Sequence, residues 1–224
     1  MLNYELSPNL LEPLVPAGVE IDRWQGRLYA SVVGFLFRET RVLGLSIPGH
    51  RTFQEVNLRF YVRRHVGDEV RRGVVFIREL VPRRAIAVVA SLLYNEPYRS
   101  APMRHRIATI GGETTREYAW RVGPDWTRLA ARTKGGPCPL RPGSEEQFIT
   151  EHYWGYTRQR DGGTIEYRVD HPRWDVWNAS AARLEGDLAA VYGDAFARAL
   201  AGPPRSAFVA DGSPVTVFAP TRIR

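Results

Sequence analysis

The sequence predicts a mainly β (α+β) protein built as a closed or nearly closed antiparallel barrel with two or three short helices. Three observations carry this. Apolar and polar side chains alternate with a period of two through most of the chain. Tight-turn sequences stand between the alternating runs, at Gly111-Gly112, Asp161-Gly162-Gly163 and Asp211-Gly212. Helical periodicity is confined to a few short stretches. Closure is expected because it leaves no unpaired sheet edge.

Gly26 to Val42 carries apolar residues on both faces and predicts a long strand in a buried sheet. Phe53 to Arg63 and Gly73 to Leu80 are the next strands, with polar His65 to Arg72 connecting them. Pro82 opens a helix in which Ile86, Val89, Ala90 and Leu93 share one face. Arg104 to Ile110 and Thr115 to Val122 flank the Gly-Gly turn, and Trp126 to Thr133 alternates again. Gly135 to Gly143 is rich in Gly and Pro and reads as a long surface loop. Ser144 followed by Gln147 is a capping-box pattern that opens a short helix to about Glu151. Tyr153 to Arg160, Thr164 to Asp170 and Asp175 to Leu184 are strands. Asp187 to Leu200 predicts one amphipathic helix, with Leu188, Val191, Tyr192, Ala195 and Phe196 on its apolar side. Phe208 to Ala210 and Val215 to Phe218 close the chain as short strands. With no repeat, low-complexity tract or linker, residues 1–224 are expected to form one domain.

Composition narrows the function classes. With 224 residues, 44% hydrophobic and 25% charged, the chain buries a core without disulfide or metal staples. Its single cysteine, Cys138, cannot form an internal disulfide, and between Pro137 and Pro139 it reads as a turn thiol. The first fifteen residues lack a basic start and contain Glu5 and Glu12, unlike a secretory signal. The longest apolar run, Leu28 to Phe37, falls short of the roughly 20 residues that span a bilayer. A cytoplasmic protein with no membrane partner is expected. The net charge of +7 raises nucleic acid as a partner. Nearly all of that charge is arginine, spread along the chain and interleaved with acids, so nucleic acid is disfavoured. His50, His65, His105, His152 and His171 show no metal-ligand spacing, and neither a metal nor a cofactor is expected. Gly44 to Gly49 superficially resembles a nucleophile elbow but lacks the glycine two residues after the serine.

The most informative strand is Phe53 to Val62. Alternation places Val56, Leu58, Phe60 and Val62 on one face and Glu55, Asn57, Arg59 and Tyr61 on the other. The plain alternative is a solvated outer face with a weak Glu–Arg pair. A tyrosine with its polar tip, and an asparagine between two charges, suit a fixed network better. If this face lines a barrel interior, it makes a polar pocket for an anionic or carbonyl ligand. Arg59 supplies the fork for a carboxylate, and Glu55 serves as acid or base once burial raises its pKa.

The pattern Glu55-x-Asn57-x-Arg59-x-Tyr61-Val62 resembles a signature of the YqjF-like bacterial proteins, within the acetoacetate decarboxylase-like superfamily. Gly73-Val74-Val75-Phe76, the Pro97 to Met103 segment, Phe148 to Tyr153 and His171-Pro172-Arg173-Trp174 continue the likeness. The resemblance implies an antiparallel cone-shaped β-barrel with an interior pocket, and it turns the Glu55 face inward. It adds Tyr98, Arg99 and His171 to the candidate ligand-binding set of Asn57, Arg59 and Tyr61. Arg78 joins them because it alternates with Phe76 on the next strand. Homo-oligomers are compatible with the superfamily. Its decarboxylases use a Pro-Lys-Lys step for Schiff-base chemistry, which needs a neutral amine. The matching step here is Pro97-Tyr98-Arg99, and neither side chain supplies one. Lys134, the only lysine, stands in a Gly-rich stretch away from the motif. The expectation is a small-molecule-binding barrel for a small carboxylate or carbonyl compound, without lysine-imine chemistry. The alternatives are a lyase or hydrolase acting on a keto acid through Glu55, and a non-enzymatic interaction or nucleic-acid-binding module.

Overall fold

The computed structural model describes residues 1–38, 52–83 and 95–223. The helix expected after Pro82, the Gly44 to Gly49 stretch and His50 lie outside these residues. In chain order the elements are β1 (Leu2–Glu5), α1 (Pro8–Leu11) with a following 3-10 turn (Glu12–Leu14), β2 (Glu20–Ile21), β3 (Tyr29–Phe37), β4 (Phe53–Val66), β5 (Glu69–Val81), β6 (Tyr98–Ser100), β7 (Met103–Ile110), β8 (Glu113–Arg121) and β9 (Trp126–Lys134). Then come α2 (Glu145–Thr150), β10 (Trp154–Arg158), β11 (Thr164–Asp170), β12 (Val176–Glu185), α3 (Ala189–Tyr192), α4 (Asp194–Leu200), β13 (Ser206–Ala210), β14 (Thr216–Val217) and β15 (Thr221–Arg222).

Hydrogen bonding among the described residues links these strands into one sheet in the order β14-β11-β10-β5-β4-β3-β1-β13-β12-β9-β8-β7, with β15 on β11, β2 on β4 and β6 on β5. The mainly β composition is as expected, but the closed antiparallel barrel is not: the sheet is open, from β14 at one end to β7 at the other. One departure from an all-antiparallel ring lies along β5. Its outer edge takes β10 in parallel at Gly73 and Val74, and β6 in parallel from Glu79 to Val81. That edge is therefore divided between two strands running the same way as β5, and among the described residues it takes no antiparallel partner. The strand β7 stays at an edge, with Ile107 and Ile110 exposed.

Three further differences are local. The β4–β5 pairing continues out to Val66 opposite Glu69, so the polar residues expected to be loop are themselves paired around the Gly67-Asp68 turn. Backbone pairing does not require an apolar side chain once the ladder projects beyond the core. The single helix expected over 187–200 is broken at Gly193, whose φ of +81° lies in the left-handed region that glycine adopts without strain. β1 carries no alternation signal long enough to read, yet it lies inside the sheet between β3 and β13.

The sheet is covered on both faces. Val56, Leu58, Phe60 and Val62 are fully buried in one apolar core with Leu2, Tyr4, Val32, Leu80, Trp120 and Tyr192. The other face packs Tyr29, Tyr61, Val74 and Phe208 against Phe148 and Ile149 of α2. The cap of α2 forms as its sequence implies: the Gln147 amide donates to Ser144 Oγ at 3.2 Å. The reciprocal bond is displaced by one residue, with Gly143 N donating to Gln147 Oε1 at 2.7 Å. Among the described residues, no helix is long and apolar enough to cross a membrane.

Candidate functional site

The polar row of β4 is buried rather than bathed in water. Glu55 is 2%, Asn57 1% and Tyr61 0% exposed, while Arg59 is half-buried. The row divides into two ends with Arg59 between them.

At one end Asn57 Nδ2 donates to Glu55 Oε1 at 3.1 Å, and the Tyr98 hydroxyl donates to Glu55 Oε2 at 3.3 Å. Strand register brings a further acid. Glu79 lies opposite Asn57 across the β4–β5 ladder and beside Tyr98 across the β5–β6 ladder, and it is 1% exposed. Glu96, two residues before Tyr98, accepts from the Tyr167 hydroxyl and from Thr157 Oγ1, and is also buried. Three carboxyls and two phenols therefore share one buried layer.

Ionising any of these acids costs desolvation and meets repulsion from the others. Burial, aided by the charge of Glu96, pushes Glu55 up to about 7 against the opposing pull of Asn57, Tyr98 and Arg59. Burial raises Glu96 to about 7 despite its bonds to Tyr167, Glu79 and Thr157. Glu79 is held well above the usual carboxylate range, first by burial and then by Glu96 and Glu55. The cluster thus retains a proton at neutral pH, with a neutral Glu79 beside Glu96. Tyr98 is kept protonated by burial and by the surrounding acids. Such a layer donates and accepts protons near neutrality.

At the other end Tyr61 belongs to the interior. Its hydroxyl shares a 2.6 Å hydrogen bond with Ser31 Oγ, which donates to Asn3 Oδ1 at 2.6 Å. Its ring packs on Phe148 and His152, with centroids 5.4 and 4.7 Å away. His152 meets Asp22 at 3.2 Å, and Arg72 Nε donates to the same Asp22 oxygen at 2.7 Å. Burial, with Arg72 and Arg59 nearby, lowers His152 to about 4. It is a neutral imidazole at physiological pH.

Arg59 is the unspent group. Its guanidinium lies 5.9 Å from the Tyr61 ring centroid. Among the described residues its buried Nε has no hydrogen-bond partner and no ion pair engages it. Its charge reaches Glu55 on one side and both His152 and His171 on the other. His171 stacks on Trp174 at 3.9 Å between ring centroids and approaches Tyr153 at 4.8 Å. A 2.8 Å contact joins its Nδ1 to the Pro172 carbonyl, which makes Nδ1 the donor and leaves Nε2 unprotonated in the neutral ring.

Of the residues chosen from sequence, Glu55, Asn57 and Tyr98 converge, Arg59 and His171 adjoin them electrostatically, and Tyr61 is tied into the interior network. Arg78 does not join them. Leu58 faces Arg78 while Arg59 faces Phe76, so Ile77 is a bulge residue and Arg78 points to the opposite face. Arg99 is exposed and donates to the Ala190 carbonyl at 3.4 Å. Lys134 ends strand β9 opposite Glu113, exposed, instead of lying in a loop. Sequence reasoning missed Glu79, Glu96 and Tyr167. Among the described residues, no group of His, Cys, Asp and Glu is arranged to hold a metal ion.

The chain is similar to uncharacterized protein YqjF of Bacillus subtilis (strain 168), 27% identical over 182 residues, covering 80% of this chain and 72% of that protein. Its fold is similar to that of acetoacetate decarboxylase from Legionella pneumophila, with a TM-score of 0.63, 12% identity, and coverage of 100% and 83% of the two chains. It is also similar to the enduracididine biosynthesis enzyme MppR. With HEPES bound, MppR gives a TM-score of 0.66 at 12% identity, covering 99% of this chain and 84% of that one. Complexed with pyruvate it gives 0.62 at 14% identity, with the same coverage. These structural likenesses show that the chain shares the fold of those proteins. The model of DUF2071, an uncharacterized conserved protein family, matches residues 1–220, and the chain belongs to that family.

Proposed function

We propose that the protein binds a small carboxylate or carbonyl compound, with Arg59 holding the carboxylate and the Glu55–Tyr98 layer facing the carbonyl end. One observation carries this: a half-buried guanidinium with no counter-ion among the described residues, beside a layer of acids that hold protons at neutral pH. A cation withdrawn from water without a partner is costly, and a ligand carboxylate relieves that cost through charge-assisted hydrogen bonds. A protonated Glu55 then offers an O–H donor to a carbonyl oxygen, while Tyr98 keeps its own hydrogen on the Glu55 carboxyl. The pyruvate complex of MppR supports a short keto acid as the ligand class. The test is a thermal-shift screen of short keto acids on the wild type and Arg59→Ala. A ligand at 100 times its Kd stabilises by about 2.7 kcal/mol. The expected outcome is a rise in Tm for the wild type and none for the variant; equal rises would remove Arg59 as the anchor.

The raised pKa of Glu55, together with its bond to Tyr98, also favours a second reading: a lyase or hydrolase acting on a keto acid with Glu55 as acid or base. Tyr98 and Arg99 occupy the imine-forming step of the superfamily's motif and cannot form an imine. Turnover lost in Glu55→Gln and retained in Lys134→Ala is the expected pattern. Loss in the lysine variant would point back to amine chemistry.

A further inference from the structure

The face of β5 opposite the acid layer holds a second set of unspent polar groups. The Ile77 bulge turns Arg78 onto that face, beside Leu80 and across from Leu58, in the main apolar core. Arg78 is half-buried, and among the described residues its Nε has no hydrogen-bond partner and it has no ion pair. Over it lies α3, tethered to the sheet by Arg99, which donates to the Ala190 carbonyl at 3.4 Å. The last residue of α3 is Tyr192, 7% exposed, and β1 contributes Tyr4, 3% exposed. Among the described residues neither phenol has a hydrogen-bond partner. Tyr192 feels the charge of Arg78 and the presence of Tyr4, and Arg78 feels Arg99, so the four groups form one neighbourhood.

Burial holds both phenols protonated. Each phenol oxygen can accept as well as donate, but among the described residues no hydrogen bond joins Tyr4, Tyr192 and Arg78 Nε to one another or to a protein acceptor, so their donors are unspent. A buried donor left without an acceptor carries its full desolvation cost, and three such groups in one place call for an acceptor from outside the chain. The acceptor must carry negative charge to satisfy Arg78, and the rest of it must be apolar to lie against Leu58, Leu80 and Val191.

We propose that Arg78, Tyr192 and Tyr4 form a second binding site, on the core face of β5, for the carboxylate of a short aliphatic monocarboxylic acid. The site stands independently of the Arg59 reading, being on the other face of the same strands. The carboxylate accepts from the Arg78 guanidinium and the two hydroxyls, and the alkyl tail enters the apolar core.

The test is calorimetric titration of the full chain with hexanoate, and separately with inorganic phosphate. Variants are Arg78→Met, which keeps the side-chain stem, Tyr192→Phe, which keeps the ring, and Arg59→Gln. The expected result is hexanoate binding to the wild type, weakened at least tenfold in Arg78→Met and Tyr192→Phe. Tyr192→Phe without ligand should unfold no earlier than the wild type, since it removes a hydroxyl that has no protein partner. Absence of hexanoate binding to the wild type would overturn the site. Binding unaffected by either core-face variant would also overturn it, as would loss only in Arg59→Gln, which assigns the anion to the first site. Phosphate binding as tightly as hexanoate would overturn the ligand class.

Discussion

At the scale of single residues, the proposed chemistry rests on buried groups whose partners are shared or, among the described residues, missing. Glu55 has a folded-state pKa of about 7 against an ordinary 4.5. Between those values the folded protein binds more protons than the unfolded chain, so this group's contribution to stability is fully present below pH 4.5 and is lost as pH rises through about 7. His152 acts in the opposite sense: lowered to about 4, it contributes stability that is lost as pH falls from 6.5. The Glu55 effect is therefore read as a difference between proteins. Glu55→Gln keeps the neutral form at all pH values and should gain on the wild type by roughly 3 kcal/mol between pH 4.5 and pH 8, each tenfold change in proton affinity being worth about 1.4 kcal/mol. Urea unfolding at the two pH values measures it, and a pH-independent difference would show that Glu55 ionises normally. Alternation makes Glu55, Asn57 and Arg59 legible as one row. It does not reveal Glu79. Counting back along the hairpin from its Gly67-Asp68 turn sets Arg78 across from Asn57, and only the extra residue Ile77 exchanges it for Glu79. Nothing in the side chains around Ile77 announces a bulge.

At the scale of elements, the acid layer depends on close approach between β10 and β11. Gly155 lies opposite Tyr167, and a Cβ at that position would run into the Tyr167 ring. Gly155→Ala must push Tyr167 away from Glu96. We expect about 1–3 kcal/mol of destabilisation from overpacking, plus the loss of the Tyr167–Glu96 bond. Gly136→Ala is the control, since a Cβ there meets nothing within 4 Å, and it should change stability little. Chemical denaturation of both variants decides it, equal effects counting against a packing role for Gly155. Strands with clear alternation and glycine turns are readable from sequence, as is the Ser144 cap. The break in the last helix is not, because Leu188, Val191 and Tyr192 continue the apolar side up to Gly193, and a glycine inside a periodic run is not by itself a stop. The four-residue β1 is too short for any pattern to emerge.

At the scale of the whole molecule, alternation specifies which faces are buried but not which strands are neighbours. Closure into a barrel is the simplest way to protect sheet edges, and the sequence predicts it on that ground. The chain instead divides the outer edge of β5 between β10 and β6 and ends its sheet at β7 and β14. Amide hydrogen exchange tests this. In an open sheet the β7 amides that face away from β8 exchange rapidly while β4 amides are protected; a closed barrel would protect both sets of β7 amides. The proposed Arg59 site depends on this arrangement, since covering both faces of β4 is what withdraws its polar row from water. The most direct measurement is a crystal structure of the protein grown with pyruvate. The expected result is the pyruvate carboxylate forked against the Arg59 guanidinium, with its carbonyl oxygen toward Glu55 and Tyr98. Pyruvate bound elsewhere, or an Arg59 that stays without an anion at saturating pyruvate, would contradict it.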